Sequence, residues 1–203
     1  QITAKDCEGC HPRQTAEWRR SVMGHAVKSP LFPFHSWLPL AYGEASPSGT
    51  ALMAGVMSKM GAFGFLKLAL PLCPEVAREA ATLMTGWAVL SILYGAVLAL
   101  RQQHFKQLVA YASLSHMGYI VLGLFSFQAT AVQGVLFQIL SHGLAVAGLF
   151  LLLGLLEQRC GRGYLQLTAL AGTAPRFAVV LMFFVLASLA LPLSSGFTAE
   201  FLI

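Results

Sequence analysis

The sequence predicts an all-α protein: a polytopic transmembrane helix bundle fragment with five full spans, the start of another, and a short polar N-terminal segment. Two observations carry this. Of 203 residues, 57% are hydrophobic and only 10% charged, and the mean hydropathy is +0.69, a balance found in membrane chains rather than soluble domains. The apolar residues are also gathered into five long runs, each near the roughly 20 residues that a helix needs to cross about 30 Å of hydrocarbon. Lipid offers the backbone no hydrogen-bond partner, so an open chain must cross it as helix, and no strand-like alternation of apolar and polar residues is visible.

The runs are Ala51–Leu72, Ala81–Leu100, Leu108–Phe127, Val132–Leu156 and Phe177–Leu193. Small residues inside them, such as Gly55, Ser115, Gly118 and Gly143, let helices approach closely. Phe197–Ile203 opens a further apolar segment, and the chain begins with Gln rather than Met, so the sequence is expected to be a piece of a longer one. Residues 1–30 differ in kind. Lys5, Asp6, Glu8, Arg13, Glu17, Arg19, Arg20 and Lys28 make them polar, and without an apolar stretch they form neither a span nor a signal peptide.

Loop charge sets the expected orientation. Arg101–Lys106 and the linker Gln158–Arg176, with Arg159, Arg162 and Arg176, lie on one side by parity. The turns Pro74–Ala80 and Gln128–Ala131 lie opposite and are not enriched in Lys or Arg. The positive-inside rule places the first pair in the cytoplasm, together with the Pro33–Ser48 loop. The net charge of +5 belongs to that asymmetry. It implies membrane lipid as a partner and does not call for nucleic acid.

Four ionisable residues fall in or against the apolar runs: Lys59, His116, His142 and Glu200. Charge in lipid is expensive, so such residues mark ion or proton pathways. Lys59 is eight residues past Ala51, about 12 Å into its helix, and should face protein or water. Lys67, near the end of the same run, is expected to snorkel. His116 lies eight residues into its run, and an imidazole can donate and accept on opposite nitrogens. Gln138, one turn before His142, is placed to hydrogen-bond it or hold a water. Glu200 follows Ser194-Ser195-Gly196, read as a helix interruption of the kind that marks ion sites. By residue type alone, a structural Lys on a helix-end carbonyl and core histidines remain open readings. His35 and Trp37 are read as interface anchors, and Cys73 and Cys160 as unpaired. The sequence shows no phosphate-binding loop, dinucleotide fingerprint, hydrolytic triad or metal cluster.

Near the start, Cys7-Glu8-Gly9-Cys10-His11 has the C-x-x-C-H spacing at which two thiols bond a haem and the imidazole takes the iron. With Glu17-Trp18-Arg19-Arg20-Ser21 and Gly24-His25-Ala26, it resembles a haem-binding unit of multihaem c-type cytochromes. That resemblance implies haem c as cofactor, Cys7, Cys10 and His11 as its attachment and iron ligand, and His25 or Met23 as the distal ligand. A zinc half-site is the other reading. The division expected is a cytochrome-like segment over 1–28 and a membrane domain over 29–203. Loop charge puts the motif in the cytoplasm, whereas c-type haem attachment takes place outside it. The motif is therefore expected to be silent, joined to the membrane domain by recombination, gene-fragment assembly or sequence misassembly.

From Lys28 onward a second resemblance covers nearly all the rest. The stretch Val27–Pro39, Ser58-Lys59-Met60-Gly61, Lys106–Gly118, Ser141-His142-Gly143-Leu144 and Leu191–Phe201 resemble, in order, the antiporter-like subunits of respiratory complex I, above all the subunit M branch. The resemblance implies a proton-translocating role. It matches Lys28 to the lysine of the family's seventh helix and Lys59 to that of the eighth. His116 and His142 match the histidines of the tenth and eleventh helices, and Glu200 the glutamate of the twelfth. It also implies other complex I membrane subunits as partners, with NADH and quinone engaged only through them. It further implies no cofactor in the membrane part and a multi-pass location in a bacterial inner membrane. Leu40 stands where an acidic residue is common, and the glutamate that pairs with the seventh-helix lysine has no counterpart in this sequence. A cation/proton antiporter or a membrane-bound hydrogenase subunit shares this architecture, and electron transfer by a c-type cytochrome is the third class.

Overall fold

A computed structural model describes Leu31 and residues 33–160, 172, 174–192 and 194–203. Cys7, Cys10, His11, Met23, His25, Lys28 and Arg162 lie outside the described residues. Among the latter there are helices and turns and no strand. In chain order these are α1 (Trp37–Glu44), α2 (Pro47–Leu72), α3 (Pro74–Glu79), α4 (Ala81–Leu100), α5 (Phe105–Phe125), α6 (Ala129–Cys160), α7 (Pro175–Ser188) and α8 (Ser195–Leu202).

Four of them, α2, α4, α5 and α6, are long and apolar enough to cross a membrane. The fifth expected span is not. Instead of running over Phe177–Leu193, α7 stops at Ser188 after 14 residues, about 21 Å of helix. Pro192 disfavours helical backbone at Leu191, and Ala190 takes a left-handed φ of 49°. Ser194 then caps a new helix, its Oγ accepting from the Phe197 N–H at 3.3 Å. The interruption therefore precedes Ser195 and Gly196, which are already in the first turn of α8.

The other boundaries follow local chemistry. The Pro47 ring suits the first position of α2, and the Ser46 Oγ accepts from the Gly49 N–H. The α5 helix ends at Phe125, two residues short of the expected Phe127, which has a left-handed φ of 54°. Within α2, Met53–Met57 and Phe65–Ala69 are wound as π-helix, the wider winding often found at functional sites.

The central helix is α5, with 61% of its apolar window inside the protein against 17% for α4. Glycines set how closely the two pack. A Cβ on Gly118 would lie 2.6 Å from the Ile92 side chain and 2.9 Å from the Ala88 carbonyl, and one on Gly95 would lie 2.8 Å from the Ser115 nitrogen. No larger residue fits either crossing without moving a backbone. The Ser115 hydroxyl completes the contact by donating to the Ile92 carbonyl at 3.1 Å. On the other side of the bundle, α2 meets α6 where Gly55 faces Gly143.

Candidate functional site

The interior of this bundle holds two polar stations. The first is Lys59, 4% exposed, on the α-helical turn between the two π-wound stretches of α2. Its ammonium donates to the Ala54 carbonyl, inside the first π stretch, and lies 3.1 Å from the Ser58 Oγ. The Ser58 hydroxyl also donates to the Ala54 carbonyl, at 2.9 Å. The lysine is thus held by its own helix, yet it lines the groove between α2 and α6 beside Gly55 and Gly143.

The second station is built from three helices. His116 on α5 has its Nδ1 3.0 Å from the Glu200 Oε1 on α8. Gln138 on α6 places its Nε2 3.1 Å from the same His116 nitrogen and 3.2 Å from the same Glu200 oxygen. The His142 ring, one turn along α6, stands with its centroid 4.4 Å from that of His116. His142 is 4% exposed and directly precedes Gly143, which lines the Lys59 groove opposite Gly55, so on α6 it links that groove to the His116 station. The expected Gln138–His142 pairing is replaced by one that bridges His116 and Glu200. The His142 Nε2, the Gln138 Oε1 and the Ser113 and Ser141 hydroxyls are buried with no hydrogen-bond partner among the described protein atoms.

This arrangement can carry a proton in two states. With a proton on the His116 Nδ1, that nitrogen donates to the Glu200 carboxylate. With the proton on Glu200, the bare nitrogen accepts from the Gln138 amide. Gln138 serves either state, because its two N–H groups and one oxygen can satisfy whichever neighbour lacks a partner. The transfer breaks an N–H bond, forms an O–H bond and converts an ion pair into two neutral groups, so the half-buried pair holds no net charge in either state.

A slot of about 400 Å³ runs to this station, walled along α5 by Phe105, Leu108, Ala112, Ser115, His116 and Tyr119. That spacing is one helical stripe, and it extends about 21 Å at about 1.5 Å per residue. Glu200 and His142 also line it.

Sequence reasoning missed two features. Lys106, placed by charge in a cytoplasmic turn, is a buried residue of α5, and its Nζ lies 2.7 Å from the Glu157 Oε2. The contact brings the turn before α5 and the end of α6 to one end of the bundle. His35, taken for an interface anchor, is 8% exposed, with its ring 5.0 Å from that of Tyr94. Among the described residues no group of three or more His, Cys, Asp or Glu is placed to hold a metal ion.

Comparison with known proteins identifies the family. The model of the NADH:quinone oxidoreductase/Mrp antiporter transmembrane family matches residues 19–203. The chain is 41% identical over 188 residues to NADH-quinone oxidoreductase subunit M of Rickettsia typhi, covering 91% of this chain and 38% of that protein. It is also 41% identical over 179 residues to the Pseudomonas aeruginosa subunit M, covering 88% and 35%. It spans about two fifths of the length of the curated relatives it matches. A chain of respiratory complex I from Thermus thermophilus superposes with a TM-score of 0.82 at 40% identity, over 93% of this chain and 41% of that one. A chain of an archaeal membrane-bound sulfane sulfur reductase, 22% identical with a TM-score of 0.78, shares the fold. With four membrane-length helices and a family match over nearly its whole length, this multi-pass membrane chain belongs to the NADH:quinone oxidoreductase/Mrp antiporter transmembrane family.

Proposed function

We propose that the chain is the proton-translocating core of a membrane subunit of a complex I-type NADH:quinone oxidoreductase. Lys59, His142, His116 and Glu200 carry the proton and Gln138 adapts to its position. The observation that supports this most is the bridging of His116 and Glu200 by Gln138 beside His142, in a bundle that superposes on a complex I chain. The residues perform no covalent chemistry on a substrate. Energy comes from quinone reduction in partner subunits, which reaches these groups as a change in nearby charge, and a buried ammonium or imidazole answers such a change by gaining or losing its proton. Lys28 extends the same path by its family match. The enzyme activity, NADH, quinone and the other membrane subunits belong to the whole assembly and form part of this proposal, as does a bacterial inner-membrane setting.

The test places this chain's sequence in the corresponding stretch of a full-length subunit M and reconstitutes the complex in vesicles. NADH oxidation should acidify the lumen in an uncoupler-sensitive manner, and Glu200→Gln should suppress acidification well below the parent. Acidification equal to the parent's in both Glu200→Gln and His116→Ala would sink the reading. Sodium-driven proton exchange without NADH would favour the antiporter class instead. The C-x-x-C-H segment is a separate matter. We infer that it carries no haem, and a pyridine haemochrome spectrum of the purified chain with a c-type signature would overturn that.

A further inference from the structure

Neighbouring residues of the first turn of α5 line two separate cavities that share no lining residue. One is a polar vestibule of about 540 Å³ at the bundle end, lined by Glu44, His104, Lys106, Gln107 and Glu157 among others. The other is the slot that ends at His116 and Glu200, and its first α5 residue is Phe105. Consecutive residues thus face different compartments, as a rotation of about 100° per residue requires.

The slot next to Phe105 is walled by Leu108, Val109, Leu149 and Leu153, and its α5 polar groups begin only at Ser115. Phe105 packs against the buried cluster that contains Val109, Leu149 and Leu153. The neighbouring Lys106 is tied to Glu157 at 2.7 Å, with the two side chains 10% and 25% exposed, which fixes the first turn of α5 against the end of α6. Apolar walls that close to a constriction bar water and ions by dewetting.

We propose that Phe105 is a gate residue: its ring closes the vestibule end of the slot leading to His116 and Glu200, and the Lys106–Glu157 ion pair is the positioning contact that keeps it seated. The inference rests on the slot being the route by which the His116–Glu200 station exchanges protons with water. Swinging the ring aside joins the two cavities and brings the vestibule to the head of the stripe. The gate determines access alone, so it can be read without any proton being moved.

The experiment uses the full chain in phosphatidylcholine vesicles, with Cys7, Cys10, Cys73 and Cys160 changed to Ser and Ala112→Cys as a reporter inside the slot. A charged, water-soluble methanethiosulfonate is supplied on both faces. Labelling should be slow in the parent, at least tenfold faster with Phe105→Ala, intermediate with Glu157→Gln, and near the parent rate with Phe105→Leu. Leu124→Ala, a cavity at the other end of α5, should leave the rate unchanged. Should Phe105→Ala fail to insert, Phe105→Val takes its place with the same expected direction. A rate within twofold of the parent for the Phe105 truncation, or an equal acceleration by Leu124→Ala, would overturn the gate. A parent-like rate for Glu157→Gln would overturn the role of the ion pair. Loss of proton translocation in the assembled complex would leave these rates untouched, so the two readings can fail separately.

Discussion

Lys59 is buried and His116 half-buried, and both belong to long apolar helices, yet they are held in opposite ways. Among the described residues, the hydrogen-bond partners of Lys59 lie within its own helix, at Ala54 and Ser58. Those of His116 arrive from two other helices, through Gln138 on α6 and Glu200 on α8. The local station survives changes in how helices pack, whereas the tertiary one exists only while three helices hold their relative positions. A relay that uses both has a fixed donor at one end and an adjustable acceptor at the other.

The largest expected effect tests whether the fixed end matters. In a full-length subunit carrying this stretch, Lys59→Ala should lower NADH-driven proton pumping by about tenfold or more, the loss of one required transfer step. Lys67→Ala, on the same helix but outside the buried set, should stay within about twofold. Similar pumping by the two variants would make Lys59 a structural residue.

Gly118 sits two residues beyond His116, against α4. Gly118→Val forces its side chain into Ile92 and the Ala88 carbonyl and should cost about 1–3 kcal/mol, the usual range for overpacking. The displacement of α5 should disturb the His116 station and spare Lys59. Imidazole chemical shifts of labelled His116 should therefore move while the ammonium signal of Lys59 does not. Shifts of equal size at both would break the contrast.

A double-mutant cycle sharpens it further. Gln138→Leu and Glu200→Gln should couple by about 0.5–3 kcal/mol in thermal or denaturant unfolding, because they share one network. Additive effects would show that Gln138 does not mediate between His116 and Glu200. The smallest effect belongs to Ser58→Ala. It removes one of two contacts to the lysine, so stability should fall by about 0.5–1.5 kcal/mol, the net worth of one hydrogen bond, with pumping little changed. A tenfold fall in pumping would move Ser58 into the transfer path itself.

The helices were legible because lipid makes apolar run length almost sufficient: α4 begins and ends where the sequence places it, at Ala81 and Leu100. The residues of the two stations were also legible, because an ionisable group within such a run stands out. Their partners were not. Nothing local tells that Gln138 faces His116 rather than His142, since that depends on how α6 is rotated against α5. Lys106 was read as loop because a run counted from Leu108 leaves it outside, and its partner Glu157 lies at the far end of a different helix. The break before α8 was expected a few residues late. Ser and Gly drew the attention, while the fixed geometry of Pro192 and the left-handed Ala190 had already ended α7.

The π-wound stretches of α2 have a bearing on insertions and deletions. Each such turn closes hydrogen bonds to the fifth residue instead of the fourth, and so accommodates what amounts to one extra residue. Removing a single residue from Met53–Met57 would let that stretch relax to ordinary winding without breaking the span. Because the wider winding had absorbed the extra residue, the parts of the span on either side would keep nearly the same relative bearing. Lys59, immediately after that stretch, would still face the same way, but the Ala54 carbonyl that holds its ammonium would be drawn back into ordinary helical bonding. Length variation at these five positions should therefore act on the anchoring of the lysine rather than on its phase or on insertion into the membrane, so a frame-preserving deletion there would yield a well-made span whose lysine keeps its bearing and loses its anchor.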